Sequence, residues 1–102
     1  MYKRQDKTDF QTSNGNSYTI LCGMDSNSAP YAGSPIYNGV TFKSCMEACD
    51  KRTGCTNVAY NGDCYLKQDI PGRLNKIGSK ADWAVKVAWL KSKYDAGLVP
   101  AQ

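Results

Sequence analysis

The chain has 102 residues, with 13 lysines and arginines against 9 acidic residues for a net charge of +4, five cysteines and no histidine. At that length it forms one domain burying about two-thirds of its unfolded surface, so its core is small and gains from covalent support. The missing histidine excludes imidazole acid/base catalysis, His-based nucleophile pairs and His-containing zinc sites, and no run of about 18 apolar residues is present to span a membrane.

Met1 to Asn16 is polar, ends in Ser13-Asn14-Gly15-Asn16 and offers only Tyr2 and Phe10 as large apolar groups, so residues 1–16 read as a flexible lead-in. Within it Lys3-Arg4 is either a dibasic processing site of the secretory pathway or an ordinary basic pair in a tail. No signal peptide is visible ahead of the domain, and the chain is expected to be a mature form. Order is expected from Ser17, where Tyr18, Thr19, Ile20 and Leu21 make a β-prone run bounded by Gly23. Gly23 to Gly39, with Pro30, Gly33, Pro35, Asn38 and several serines, reads as a surface loop.

From Thr41 the pattern becomes helical. Thr41 can cap, Phe42, Cys45, Met46 and Cys49 fall on one face, and Gly54 supplies the stop. Two β-prone runs, Cys55 to Tyr60 and Asp63 to Leu66, then flank Asn61-Gly62, a strong hairpin signal. Gln68 to Ser79, with Pro71-Gly72 and Gly78, reads as an irregular connection.

Asp82 to Leu90 fits two patterns. As a strand it gathers Trp83, Val85, Val87 and Trp89 on one face. As a helix it has Ser79 and Asp82 as a capping box, Trp83, Val87, Leu90 and Tyr94 at helical spacing, and Gly97 as a stop. The strand is favoured because a helix sets Val85 and Trp89 opposite Trp83. After Lys91 the chain reads as a tail, so the domain is placed at residues 17–91 and the tail at 92–102.

Five cysteines in a small chain point to an oxidising compartment, and an odd count leaves one over, most naturally Cys22, as a buried thiol or the link of a disulfide-joined dimer. Cys45, Cys49, Cys55 and Cys64 lack the paired C-x2-C knuckles of structural zinc sites, so bridges are expected and no metal or other cofactor. Within the hairpin Cys64 can face back onto the helix, which favours Cys45 with Cys64, and the short separation favours Cys49 with Cys55, although three pairings are open. A bridge closing a loop of about 20 residues adds roughly 3 kcal/mol in the chain-entropy model.

Chemistry has little to stand on. Glu47 and Asp50 lie at i and i+3 on the helix beside Lys43, Lys51 and Arg52, which reads as a solvated mixed-charge face. No catalytic residue is assigned and an enzyme is not expected. Between Lys67 and Lys93 seven basic residues stand against two acidic ones, a net of +5 that attracts polyanions, with scattered solubilising lysines as the plain alternative. The candidate ligand contacts are Tyr31 and Tyr37 in the long loop and Arg73, Lys76, Lys80 and Lys86 in the basic stretch. Trp83 and Trp89 are expected in the core rather than as a sugar-stacking platform.

Thr41-Phe42-x2-Cys45-x3-Cys49-x5-Cys55, followed by Val58-Ala59-Tyr60 and Cys64-Tyr65-Leu66-Lys67, resembles the PAN/apple domain family in the version met in secreted fungal proteins. The likeness covers Tyr18 to Leu90. It implies an α+β fold, one short helix packed on a twisted antiparallel sheet of about five strands. It also implies bridges Cys45 to Cys64 and Cys49 to Cys55, with Asp82 to Leu90 as the closing strand. Apple domains proper carry a sixth cysteine near their end, joined to the first, and nothing after Cys64 can serve here. By this resemblance the chain is expected to be a secreted adhesion module that recognises a glycan, acidic ones included, or an extracellular protein, with no nucleic acid partner. The alternative is a small secreted effector or toxin-like protein acting on a host protein.

Overall fold

The computed structural model describes residues 8–27, 37–69, 72–78 and 80–99. Among them the strands are Thr8–Gln11 (β1), Ser17–Leu21 (β2), Met24–Ser26 (β3), Tyr37–Asn38 (β4), Cys55–Tyr60 (β5), Asp63–Gln68 (β6), Lys76–Gly78 (β7) and Asp82–Lys86 (β8). The helices are Phe42–Lys51 (α1) and Val87–Asp95 (α2). A six-stranded antiparallel sheet runs β1-β2-β8-β5-β6-β4, and β3 pairs with β7 in a separate ribbon. The α+β class and the antiparallel sheet agree with the sequence reading.

Alternation along the strands sends side chains to two faces, and each face has its own cover. Tyr18, Val58, Cys64, Leu66 and Ala84 meet Phe42, Cys45, Met46 and Cys49 of α1 in one cluster. Trp83 and Val85 point the other way and pack with Leu74 and Val99, flanked by Leu21, Met24, Trp89 and Leu90. Asn57 lies on that second face with its side chain fully buried. Its Oδ1 accepts from Ser26 Oγ and Trp83 Nε1, both at 2.9 Å, so the two buried donors are satisfied at one oxygen.

Helix α1 starts where the sequence places it: the Thr41 side chain accepts from the Ser44 backbone N–H at 3.1 Å. Two bridges hold it. Cys45 joins Cys64 of β6 with Cα atoms 5.4 Å apart, and Cys49 joins Cys55 at the head of β5 at 5.3 Å. Of the three open pairings this is the favoured one. The β5–β6 hairpin pairs Tyr60 with Cys64 and turns at Asn61 and Gly62, while Asp63 opens β6 opposite Asn38 of β4; Gly62 sits at φ 100°, where a side chain is strained.

Several expectations are corrected. Asp82 to Leu90 is neither one strand nor one helix, because β8 ends at Lys86 and α2 begins at Val87. The pairing stops there: Lys86 faces Tyr18, the last registered pair with β2, and Val85 faces Asn57, the last with β5 and next to the irregularity between Cys55 and Asn57. Freed from the sheet, the next residues follow their helical spacing. Asp82 caps no helix, since its carboxylate accepts from the Gly23 N–H at 3.1 Å. The described residues thus hold two helices where one was expected.

Residues after Lys91 belong to the fold as well. Gly97 (φ 73°) closes α2, with the Gly97 N–H on the Tyr94 carbonyl and the Leu98 N–H on the Lys93 carbonyl, and Val99 enters the core. At the other end Thr8–Gln11 already form a sheet strand paired with β2, ahead of the expected start at Ser17. Short strands also lie inside the two stretches read as irregular, β3 and β4 in the first and β7 in the second.

Candidate functional site

Along β6, Cys64 and Leu66 face α1, so Tyr65 and Lys67 face the opposite side of the sheet. There the β3 residue Asp25 meets Lys67, with Nζ 2.6 Å from Asp25 Oδ1 and 3.1 Å from the Ser26 carbonyl. Lys67 is only 7% exposed, and an ammonium so deeply placed is tolerated because it is paired and hydrogen-bonded. Asp25 Oδ1 also accepts from the Ser26 N–H at 2.7 Å. Beside this pair a shallow groove of about 280 Å³ is lined by Asp25, Ala59, Asn61, Tyr65, Lys67, Lys80 and Ala81.

The basic stretch is largely neutralised by folding. Lys67 pairs with Asp25, Lys86 lies 3.9 Å from Asp50, Lys91 is 2.9 Å from Asp95, and Lys93 is 3.2 Å from Asp69. Lys93 also sits 5.7 Å from the ring centre of Trp89, whose Nε1 donates to Asp69 at 2.7 Å.

The candidate contacts therefore do not form one patch. Lys86 is half-buried on the α1 face of the sheet and separates from the rest. Arg73, Lys76 and Lys80 all belong to the β3–β7 side. Arg73 is exposed and its carbonyl accepts from Asn27 Nδ2 at 3.1 Å, Lys76 pairs in register with Ser26, and exposed Lys80 lines the groove. Tyr37 pairs with Cys64 in β4, and Tyr31 lies outside the described residues. Trp83 is fully buried, as expected of a core residue, whereas Trp89 is half-buried on α2.

Asp50 is no solvated surface charge. Its side chain is 1% exposed, and its carboxylate accepts from the Thr12 hydroxyl and, at 2.7 Å, from the Tyr18 hydroxyl. Burial pushes its pKa up, but hydrogen bonds from Thr12, Tyr18 and Asn16 and the nearby Lys86 more than offset this and hold it below the usual carboxylate value. Tyr18 is pushed far above the ordinary phenol range, first by burial and then by Asp50. Glu47 accepts from Ser13 at its N–H (3.1 Å) and hydroxyl (2.8 Å). Both acids thus tie the β1–β2 turn to α1, a structural task in place of the solvated face read from sequence.

An apolar recess of about 410 Å³ opens between the sheet and the start of α1, lined by Phe10, Ile20, Phe42, Met46 and Tyr60 with Thr41 and Lys43 at its rim. Phe42 and Tyr60 stack with ring centres 5.0 Å apart, and the Tyr60 hydroxyl donates to the Val40 carbonyl.

The groove was partly legible beforehand. Tyr65 and Lys67 are two apart in a strand whose Cys64 points at the helix, which already places them together on the far face. Asp25 and Ala81 gave no comparable signal, because they arrive through non-local pairing. Cys22 is half-buried in the turn between β2 and β3, outside the two bridges, both of which are within the chain. No helix among the described residues is long and apolar enough to cross a membrane. No protein-family model matches the chain, and no curated protein matches it in sequence.

Proposed function

We propose that the chain is a secreted, non-enzymatic binding module of PAN/apple-like type that recognises a carbohydrate ligand outside the cell. The observation that supports it most is the groove at Asp25, Asn61, Tyr65 and Lys80, where an aromatic, an amide, a carboxylate and an ammonium converge on a sheet tied by two disulfides to α1. A mixture of one ring and a few placed polar groups is what holds a small polar ligand in orientation. Mechanism here is presentation: the bridged scaffold fixes these groups in advance, so little ordering cost falls on binding. The acids follow the same logic, since Asp50, Glu47, Asp69 and Asp82 are all engaged in holding elements together.

A glycan array probed with the purified chain tests this. Selective sugar binding, lost when Arg73, Lys76 and Lys80 are all replaced by alanine, is the expected outcome, and binding unchanged by that triple substitution removes the basic ribbon from the interface. The apolar recess at Phe10, Ile20, Phe42, Met46 and Tyr60 favours a second reading, an effector or toxin-like protein seizing a host protein through an apolar side chain. A blank array, together with capture of a host protein that Met46→Lys abolishes, selects that reading over the first.

A further inference from the structure

We infer that the Asp25–Asn61–Tyr65–Lys80 groove takes a single acidic sugar unit, a pyranose bearing one negative charge; this rests on the carbohydrate reading above. The floor is internally neutral, because Lys67 and Asp25 compensate each other at 2.6 Å. Lys80, exposed at the rim, makes no ion pair among the described residues, so the groove has one positive charge to offer. Its hydrogen-bonding balance points the same way. Asn61 Oδ1 is occupied by the Asp63 N–H at 3.2 Å, leaving the amide N–H2 to donate outward. Asp25 Oδ1 already takes the Lys67 ammonium and the Ser26 N–H. Lys80, the Asn61 amide and the Tyr65 hydroxyl are donors, so the lining is richer in donors than in open acceptors.

A complementary ligand is therefore rich in acceptor oxygens and carries an anion. The volume, about 280 Å³, lies just below the usual range of about 300–1,000 Å³ for small-molecule sites, which suits one ring rather than a chain of them. Half-buried Tyr65 supplies an aromatic surface for that ring. The anion can be a carboxylate or a sulfate, since both present oxygens to an ammonium and an amide.

Calorimetric titration of the intact chain with an oligomer of galacturonic acid, its methyl ester, a sulfated galactose oligomer and the unsulfated counterpart separates the cases. Binding of either acidic oligomer over its neutral form is expected, weakening with added salt, and identifies which anion is read. Lys80→Ala should weaken that binding about tenfold or more, Lys80→Arg should retain most of it, and Lys86→Ala, on the other face, should leave it unchanged. Equal binding of charged and neutral oligomers, or indifference to Lys80→Ala, overturns the acidic-sugar inference while the carbohydrate module stands. No binding of any sugar, on the array or in the calorimeter, overturns both.

Discussion

Asp50 shows how one buried carboxylate can set the pH behaviour of a small fold. Its pKa is depressed in the folded state, so its contribution is fully present above the unfolded carboxylate value, about 3.9, and is lost as pH falls through the lower folded value. Tyr18, with a raised pKa, acts in the opposite sense: its contribution is present below the ordinary phenol value and fades only as pH rises through the higher folded one. Asp50→Asn should therefore cost about 2 kcal/mol at neutral pH, the worth of a charge-assisted hydrogen bond to a buried hydroxyl. It should also flatten the loss of stability below about pH 4. Urea unfolding at pH 7 and pH 3 checks both, and an unchanged acid limb shows that other carboxylates set it. Sequence showed Asp50 and Glu47 on one helix face beside three cations. It could not show that the β1–β2 turn closes over them, because Thr12 and Ser13 lie 38 and 34 residues away.

At the level of elements, the bridges and α2 make separable predictions. Cys45–Cys64 spans 19 positions and Cys49–Cys55 spans 6, so the chain-entropy model gives about 3 and about 2 kcal/mol respectively. Paired alanine substitutions should reproduce that order in denaturant midpoints, and a larger loss from the shorter loop shows that native packing at Cys49–Cys55 outweighs unfolded-state entropy. Truncation after Lys91, at the expected tail, should lower stability by at least about 2 kcal/mol. It removes buried Val99, the Lys93 pair with Asp69 and the Leu98 carbonyl that accepts from the Leu74 N–H at 2.6 Å. A thermal midpoint unaffected by the truncation refutes that role. Helix α1 was readable because capping, apolar spacing and stop all lie within its own residues. The β8–α2 break was not, since both periods fit Asp82 to Leu90 locally and the strands whose pairing with β8 ends there, β2 and β5 with its irregularity, lie far away in the chain.

Across the whole molecule, charge is the property that folding redistributes most. In the sequence, the stretch from Lys67 to Lys93 holds a net +5, yet the structure joins four of its cations to carboxylates, two of which, Asp25 and Asp50, come from earlier in the chain. Among the described residues the exposed cations of this stretch that make no salt bridge, Arg73 and Lys80, fall on the β3–β7 side, and this is why the proposed site stands there and not at Lys86. The sheet divides the labour: one face is closed by the bridged helix, and the other supports the ribbon, α2 and the groove.

By itself the sequence determined the helix that Thr41 caps and the hairpin, because each follows from spacings of a few residues that obey helix and strand periods; it favoured one of three open cysteine pairings, and the α+β class was what the family resemblance implied. Only the tertiary structure decided where β8 gives way to α2, which acids are buried, which lysines stay exposed and that Asp25 meets Lys67 beside Tyr65. Those outcomes depend on residues far apart in the chain competing for the same sheet edge or the same countercharge, and the result of that competition is written in no local pattern.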